Sequence, residues 1–410
     1  MKLFNMDFDI EGEAVEGLPE DVKRDCAEAI EAFSRCEGDE EKTFTTLRNL
    51  ADKGNKFCCL AAASLKFYGG AKDYKTAYRY LKKADNCDDV MQSGLLGIMY
   101  YAGNYVKQNK QTAFQYFIKA IKSAEERKTH LFGEITFRLL AEIKHILGKM
   151  YFLGEGVKKD AAKAVKYLAS AADNGVAMAD ILLGLLYYRG DGVAKDIKKA
   201  IKYLKRSYSR GNAEAGYALG MIYFEGDEVP QDGEKAIEYF RDAAKRDSAP
   251  AQCMMGILYH NGAGIEQDFE KAFLYLKLSA AQNYSKAQFV LAGMFWKGVY
   301  VDKDPEEALS YLTMAVNQGS SEACFALGVI YYHGYNVEQD KEKGLNLITN
   351  AAIGGSQEAA QYLMELDGDD GDDGGDEDGN IDFDALMNLC FSGEESDVKD
   401  EGGEADKDGE

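Results

Sequence analysis

The stretch LGMIYFEG, residues 219–226, recurs along the chain with small changes. Its variants LGLLYYRG, MGILYHNG, LAGMFWKG and LGVIYYHG begin at positions 183, 255, 291 and 327, so the spacing is 36 residues each time. A fixed period of this length indicates a repeat protein, in which one supersecondary unit is copied and stacked. The length of 410 residues therefore does not imply two or three ordinary globular domains.

Residues 175–211 show what one copy contains. An apolar residue at every fourth position from Ala179 to Tyr187 predicts one stripe of a first helix, which ends at Gly190. Asp196 then offers an N-cap oxygen to a second helix, which closes at the end of the copy. Each copy is thus predicted to be a pair of helices joined by a short turn.

The anchor positions keep their register over six copies. A small residue in the first helix recurs at Gly148, Gly184, Gly220, Gly256, Ala292 and Gly328. The second-helix cap recurs at Asp160, Asp196, Asp232, Asp268, Asp304 and Asp340. The closing residue is Gly175, Gly211, Asp247, Asn283, Gly319 or Gly355. Gly, Asn and Asp are the residues that tolerate a left-handed backbone, so the variation at the closing position follows a backbone rule.

The acidic ends of the chain and the copies that depart from this register set the domain boundaries that we expect. Residues 1–20 form an acidic N-terminal segment, and residues 21–54 form an atypical opening helix pair. The repeats occupy residues 55–366, with a lengthened helix near 125–147 where the spacing between anchors is longer than the period. Residues 367–410 are predicted to be an acidic, disordered tail with one apolar island at 381–391.

The pattern LGxxYxxGxG…D…A…YL…A…G…A resembles the Sel-one-like repeat family, a relative of the tetratricopeptide helical repeats. Six copies in phase and about three looser ones cover roughly residues 40–365. The resemblance implies an all-α fold, a right-handed α/α solenoid of stacked helix pairs. It also implies a scaffold for protein complexes that has no catalytic chemistry and no cofactor.

Charge and cysteine usage narrow the functional classes. The net charge of −22 lies at the two ends of the chain, because residues 367–410 carry −17 and residues 1–20 carry −5. The neutral body offers no basic stripe for phosphates, so we expect no nucleic-acid partner. The eight cysteines ignore the repeat period, unlike the regular pairs of secreted family members, and indicate free thiols. With no apolar signal segment or membrane-span run, we expect a cytoplasmic protein, with the nucleus not excluded.

An aromatic ladder supplies the candidate partner-binding residues. One helical turn after the small residue of each first helix lies a ring or a histidine: Tyr101, Phe152, Tyr188, Phe224, His260, Trp296 and Tyr332. Two interpretations stay open. The rings fill the space above the small residues as ordinary packing, or they line a groove that receives a protein or peptide.

The acidic tail supports an alternative function. Asp376, Asp378 and Asp382 match positions three, five and nine of an EF-hand loop, but Gly374 and Ala385 replace the first and last ligands. We therefore expect weak calcium or counter-ion association only. The first hypothesis is a non-enzymatic scaffold or adaptor, and the alternative is a regulatory subunit or calcium-responsive adaptor in which this tail modulates binding.

Overall fold

The structure, a computed structural model, describes residues 2–3, 6–7, 20–34, 40–69, 72–84, 89–126, 133–226 and 229–368. The chain divides into two compact units, unit 1 (residues 1–210) and unit 2 (residues 211–410). Apart from Asp367 and Gly368, the predicted tail and its apolar island lie outside the described residues.

Unit 1 contains ten helices in its described part, after a short hairpin. The hairpin strands are β1 (Lys2–Leu3) and β2 (Met6–Asp7), which pair antiparallel and which the sequence pattern did not indicate. The helices are α1 (Glu20–Ser34), α2 (Glu40–Asp52), α3 (Lys56–Tyr68), α4 (Tyr74–Lys83), α5 (Asp89–Ala102), α6 (Lys110–Glu126), α7 (Gly133–Leu153), α8 (Ala161–Asp173), α9 (Ala177–Arg189) and α10 (Ile197–Ser209). Helix α7 has 21 residues and overlaps the predicted lengthened helix near 125–147 only from residue 133 onward, since residues 125–126 belong to α6.

Unit 2 contains nine helices in its described part. They are α11 (Ala213–Glu225), α12 (Gly233–Lys245), α13 (Ala249–Asn261), α14 (Phe269–Ala281), α15 (Ser285–Lys297), α16 (Pro305–Val316), α17 (Ser321–His333), α18 (Lys341–Ile353) and α19 (Gln357–Gly368). Successive helices pack as pairs, first helix against second helix, and each pair stacks on the next within its unit. The prediction of an all-α fold of stacked helix pairs is confirmed for the repeats.

The helix ends follow from the cap residues. Each of the six predicted aspartates accepts a hydrogen bond from the backbone N–H three residues later; Asp196, for example, accepts from Lys199 at 3.0 Å. The closing positions all have positive φ, including the non-glycine residues Asp247 at 64° and Asn283 at 61°. Both predictions from the sequence are confirmed, and they fix where each helix starts and where the chain turns.

The core of each pair depends on a close approach at the small residue of the first helix. In α11, a Cβ on Gly220 would lie 2.5 Å from the ring of Phe240 in α12. The same geometry places Leu204 beside Gly184 in unit 1 and Leu276 beside Gly256 in unit 2. These second-helix side chains are fully buried, so a methyl group at the glycine would displace packed core atoms.

In some copies, a polar contact joins the first helix to the end of the second helix and fixes their relative position. The fully buried Asp180 of α9 accepts from Arg210 at 2.8 Å, and the pairs Gln252–Gln282 and Gln288–Gln318 occupy the equivalent positions at 2.8 Å. Asp180 also accepts from Arg206 Nε at 2.7 Å. Because a buried carboxylate needs its donors, this contact selects one arrangement of the helices.

We expect Gly220→Ala to lower the free energy of unfolding by about 1–3 kcal/mol, because the added methyl group overlaps the buried Phe240 ring. Gly233→Ala is the matched control, since no atom lies within 4 Å of the added Cβ, and we expect it to be neutral or stabilising. Denaturant titration followed by circular dichroism measures both. Equal effects in the two variants would contradict the close-approach account.

We expect Asp180→Ala to lower the free energy of unfolding by roughly 2–3 kcal/mol, because two arginines lose a fully buried acceptor. Asp173→Ala removes a carboxylate from the same Arg206, but that side chain is 70% exposed, so the expected loss is about 0–1 kcal/mol. Chemical denaturation of both variants provides the comparison. Similar losses would mean that Asp180 does not fasten the helices.

Candidate functional site

The seven rungs of the predicted aromatic ladder differ in accessibility. Trp296 is buried, with 5% of its surface exposed. The other six rungs are half-buried: Tyr101, Phe152, Tyr188, Phe224, His260 and Tyr332. Since a buried ring cannot meet a partner without rearrangement, the structure places Trp296 in the core of unit 2 and leaves the other rungs at its edge or at that of unit 1.

Two rungs contact the second-helix rings that pack against the small residue of the first helix. The Tyr101 ring lies 6.4 Å from that of Phe117, and the Phe224 ring lies 6.2 Å from that of Phe240. Tyr101 also donates to Glu155 at 3.1 Å. Burial and the Glu155 carboxylate together raise the pKa of Tyr101 to about 12. These two rungs therefore use part of their surface for packing within the repeat, while the rest of each half-buried ring stays accessible.

The remaining half-buried rungs have mixed surroundings. The ammonium of Lys195 lies 5.9 Å from the centre of the Tyr188 ring, and that of Lys341 lies 5.2 Å from the centre of the Tyr332 ring. His260 packs edge-on against Phe269 at 5.3 Å, and burial lowers the pKa of this histidine. Within each unit, the rungs thus meet different neighbours.

A second aromatic series, which the sequence reasoning missed, is more regular. In each of six copies, a ring near the end of the first helix stacks nearly parallel on a ring of the second helix, with centroids 5.7–5.9 Å apart. The pairs are Tyr100–Tyr116, Tyr151–Tyr167 and Tyr187–Tyr203 in unit 1, and Tyr223–Tyr239, Tyr259–Tyr275 and Phe295–Tyr311 in unit 2. The signal in the sequence is that the two partners keep the same separation along the chain in all six pairs.

In ordinary copies, a lysine from the same second helix covers the stacked pair. It is the third residue after the cap, as in Lys163, whose ammonium lies 5.3 Å from the centre of the Tyr151 ring and 3.0 Å from the Asp160 carboxylate. The backbone N–H and the side chain of Lys163 lower the pKa of Asp160. The equivalent lysines 199 and 271 also pair with their cap aspartates. The positive charge in these copies thus has a carboxylate partner.

Two copies depart from this arrangement, one in each unit. In unit 2 the third residue after the cap is Glu307, and the lysine beside the Phe295–Tyr311 pair is Lys277 of the preceding second helix, α14. Its ammonium donates to the Tyr311 hydroxyl at 2.7 Å and lies 5.2–5.8 Å from the ring centres of Tyr311, Phe273 and Phe295. Tyr300 completes this cluster, 5.6 Å from the Phe273 ring.

Unit 1 contains the same cluster in an earlier pair of copies. The third residue after the cap is Thr112, and Lys82 of α4 donates to the Tyr116 hydroxyl at 3.4 Å. The Lys82 ammonium lies 5.5 Å from the centre of the Tyr78 ring, which packs 5.6 Å from Tyr105. A hydrogen bond with Tyr78 raises the pKa of Tyr100, which stacks on Tyr116. We call these two sets the Lys82 cluster and the Lys277 cluster.

The loop tyrosines of the two clusters hold an unfavourable backbone conformation. Tyr105 has φ of 66° and Tyr300 has φ of 68°, in the left-handed region. At the equivalent loop position, other copies carry Gly156, Gly192 and Gly264. A residue with a Cβ costs roughly 1–2 kcal/mol more than glycine in this region. Both tyrosine side chains are nevertheless more than half exposed, so core packing does not explain why they are there.

Metal-binding groups and membrane-spanning helices are two further features that could indicate a function. Asp376, Asp378 and Asp382, the candidate calcium ligands, lie outside the described residues. Among the residues that the structure does describe, no group of His, Cys, Asp or Glu side chains is arranged to hold a metal ion. No helix in this described part is long and apolar enough to span a bilayer.

Comparison with known proteins is consistent with this geometry. The family model of the Sel1 repeat matches the chain at residues 57–84, 95–124, 145–176, 177–212, 213–248, 249–284, 285–320 and 321–356. No curated protein sequence matches the chain.

Two solved structures share the fold. A protective antigen of uropathogenic Escherichia coli strains, with an SLR fold, is 26% identical over 79% of this chain and 67% of its own, with a TM-score of 0.56. A Sel1 repeat protein from Oxalobacter formigenes is 24% identical over 83% of this chain and 93% of its own, with a TM-score of 0.54. Because the repeat matches cover more than half of the sequence, the chain belongs to the Sel1 repeat family.

Proposed function

We propose that this protein is a non-enzymatic scaffold or adaptor that binds protein or peptide segments on the aromatic surfaces of its repeats. Sel1 repeat solenoids are generally protein-interaction scaffolds without catalytic activity. The observation that carries the proposal for this chain is the pair of exposed tyrosines, Tyr105 and Tyr300, held at positive φ beside aromatic rings and a lysine.

The strain at the two loop tyrosines supports a role at the surface. A strained residue that contributes little to the core persists when its side chain has a function elsewhere. Tyrosine is enriched at protein interfaces because its rigid ring offers apolar area and its hydroxyl offers a hydrogen bond. Helices α14 and α16, which carry Lys277 and Tyr311, also expose the apolar side chains of Leu274, Leu278 and Met314.

The ladder residues have a secondary part in this proposal. We assign Trp296 to core packing because of its burial. The half-buried rungs are proposed to be minor contacts: Tyr101, Phe152, Tyr188, Phe224, His260 and Tyr332. In this arrangement the clusters provide the anchoring contacts and the rungs provide surrounding apolar area.

The proposed compartment is the cytoplasm, with the nucleus as the alternative. The described cysteines 26, 58, 59, 253 and 324 are free thiols, and four of them are buried. Burial raises the pKa of Cys59 to about 11, which keeps this thiol protonated and unreactive at neutral pH. Free thiols of this kind are typical of proteins in a reducing compartment.

Selection of a displayed random-peptide library on the purified full chain tests the function. We expect enrichment of peptides that bind the folded chain with micromolar dissociation constants and do not bind the heat-denatured chain, since the aromatic surfaces exist only in the folded repeats. The selected peptides should compete with one another when they use the same surface. Failure to enrich any peptide above the denatured control would contradict the scaffold proposal.

A further inference from the structure

The Lys82 and Lys277 clusters contain equivalent side chains at equivalent positions of the repeat. Five side chains recur at the same register: an aromatic residue and a lysine on one second helix, the stacked pair of the next copy, and the tyrosine in the loop between them. Phe114, with Ile118 and Gly156, shows that the aromatic residue also occurs without the other two changes. Lys205, with Glu228 at the loop position, shows that the lysine also occurs without the tyrosine, so it is the full set of five side chains that distinguishes the two clusters.

The lysine differs in its charge partner from the ordinary lysines that pair with their cap aspartates. Lys235 and Lys343 cover the Tyr223 and Tyr331 rings and, among the described residues, also form no ion pair, but their copies lack the loop tyrosine. Lys163 and Lys199 cover their stacked rings while pairing with the cap aspartates at 3.0 and 3.2 Å. Among the described residues, no carboxylate lies within ion-pair distance of Lys82 or Lys277. Each ammonium group has three N–H donors, and the hydroxyl of Tyr116 or Tyr311 accepts one. Donors thus remain for an anionic group.

The apolar half of each cluster is the exposed loop tyrosine. Tyr105 is 56% exposed and Tyr300 is 53% exposed. One side of each ring packs against Tyr78 or Phe273, which fixes its orientation. A fixed and accessible ring is suited to stacking against an aromatic or large aliphatic side chain.

We propose that each cluster binds a peptide segment in which a carboxylate side chain lies next to an aromatic or large aliphatic side chain. The carboxylate accepts from the lysine, and the neighbouring apolar side chain packs on the loop tyrosine. This inference rests on the proposed scaffold function and names its ligand chemistry. Because each unit carries one cluster, the chain binds two such segments.

The probe is a blocked synthetic peptide, Gly-Asp-Phe-Asp-Leu-Gly, titrated calorimetrically into the full chain carrying Phe8→Ala and Phe383→Ala. Both substitutions are included because the sequences Asp7-Phe8-Asp9 and Asp382-Phe383-Asp384 have the same chemistry and would compete. We expect a stoichiometry of two, and weaker binding at higher salt. Peptides with Asn in place of Asp, or Ala in place of Phe, should bind at least about tenfold more weakly.

Single variants assign the sites. Lys82→Met or Lys277→Met should reduce the stoichiometry from two to one, and Lys277→Arg should retain both sites because it keeps the charge. Lys199→Met is the matched control, since Lys199 covers the Tyr187 ring but already pairs with Asp196. It should leave both sites intact. Circular dichroism confirms that each variant is folded.

The outcomes separate this inference from the broader function. Two sites lost one at a time in the lysine variants support the inference. Unchanged affinity and stoichiometry in Lys82→Met and Lys277→Met would overturn it, and would leave the scaffold function standing if peptides selected from the library still bind the folded chain. Absence of binding by both the probe and the selected peptides would overturn both.

Discussion

The close approach of the two helices in each copy is the constraint on which the rest of the structure depends. A glycine such as Gly184 or Gly220 lets a fully buried Leu or Phe of the second helix lie directly against the first helix. No pair buries enough apolar surface alone, so the copies must stack, and stacking requires each pair to have the same geometry. The aspartate caps and left-handed closing residues maintain that geometry by fixing where each helix begins and ends.

The stacked rings lie at a largely half-buried surface, and the copies differ there in the lysine that covers the rings. In three copies, a lysine at this surface pairs with the cap aspartate of its own helix. The Lys82 and Lys277 clusters use a lysine from the neighbouring copy and a tyrosine where glycine would be relaxed. These departures cost backbone strain and leave a positive charge without a described carboxylate, and for this reason we propose them as functional positions.

The constant repeat period was sufficient to predict the helix pairs, their caps and their closing residues, since these are local backbone requirements repeated in register. It was insufficient for the binding surface. The predicted ladder grouped Trp296, which is buried, with Tyr188, which is half-buried. Periodicity gives the position of a residue along a helix but not the side chains that surround it. The two clusters were hidden for another reason. Their members come from three helices, and the longer spacing before α7 breaks the repeat register between the two sets.

If the loop tyrosines serve binding rather than stability, replacing one should separate the two properties. The most direct measurement starts from the chain carrying Phe8→Ala, Phe383→Ala and Lys82→Met, in which the Lys277 cluster is the remaining predicted site. This chain is compared with the same chain carrying Tyr300→Asn in addition, since Asn336 occupies the equivalent loop position with φ of 55°. Both the free energy of unfolding and the affinity of the Asp-Phe-Asp peptide at the Lys277 cluster are measured. We predict a free energy of unfolding within about 1 kcal/mol of the parent, because strain relief offsets the lost ring contact, and an affinity lower by about tenfold or more. The contrary result is a loss of stability of about 2 kcal/mol or more together with unchanged affinity. A loss of that size is what the removal of a packed side chain produces. It would show that Tyr300 is a packing residue and would contradict the binding role.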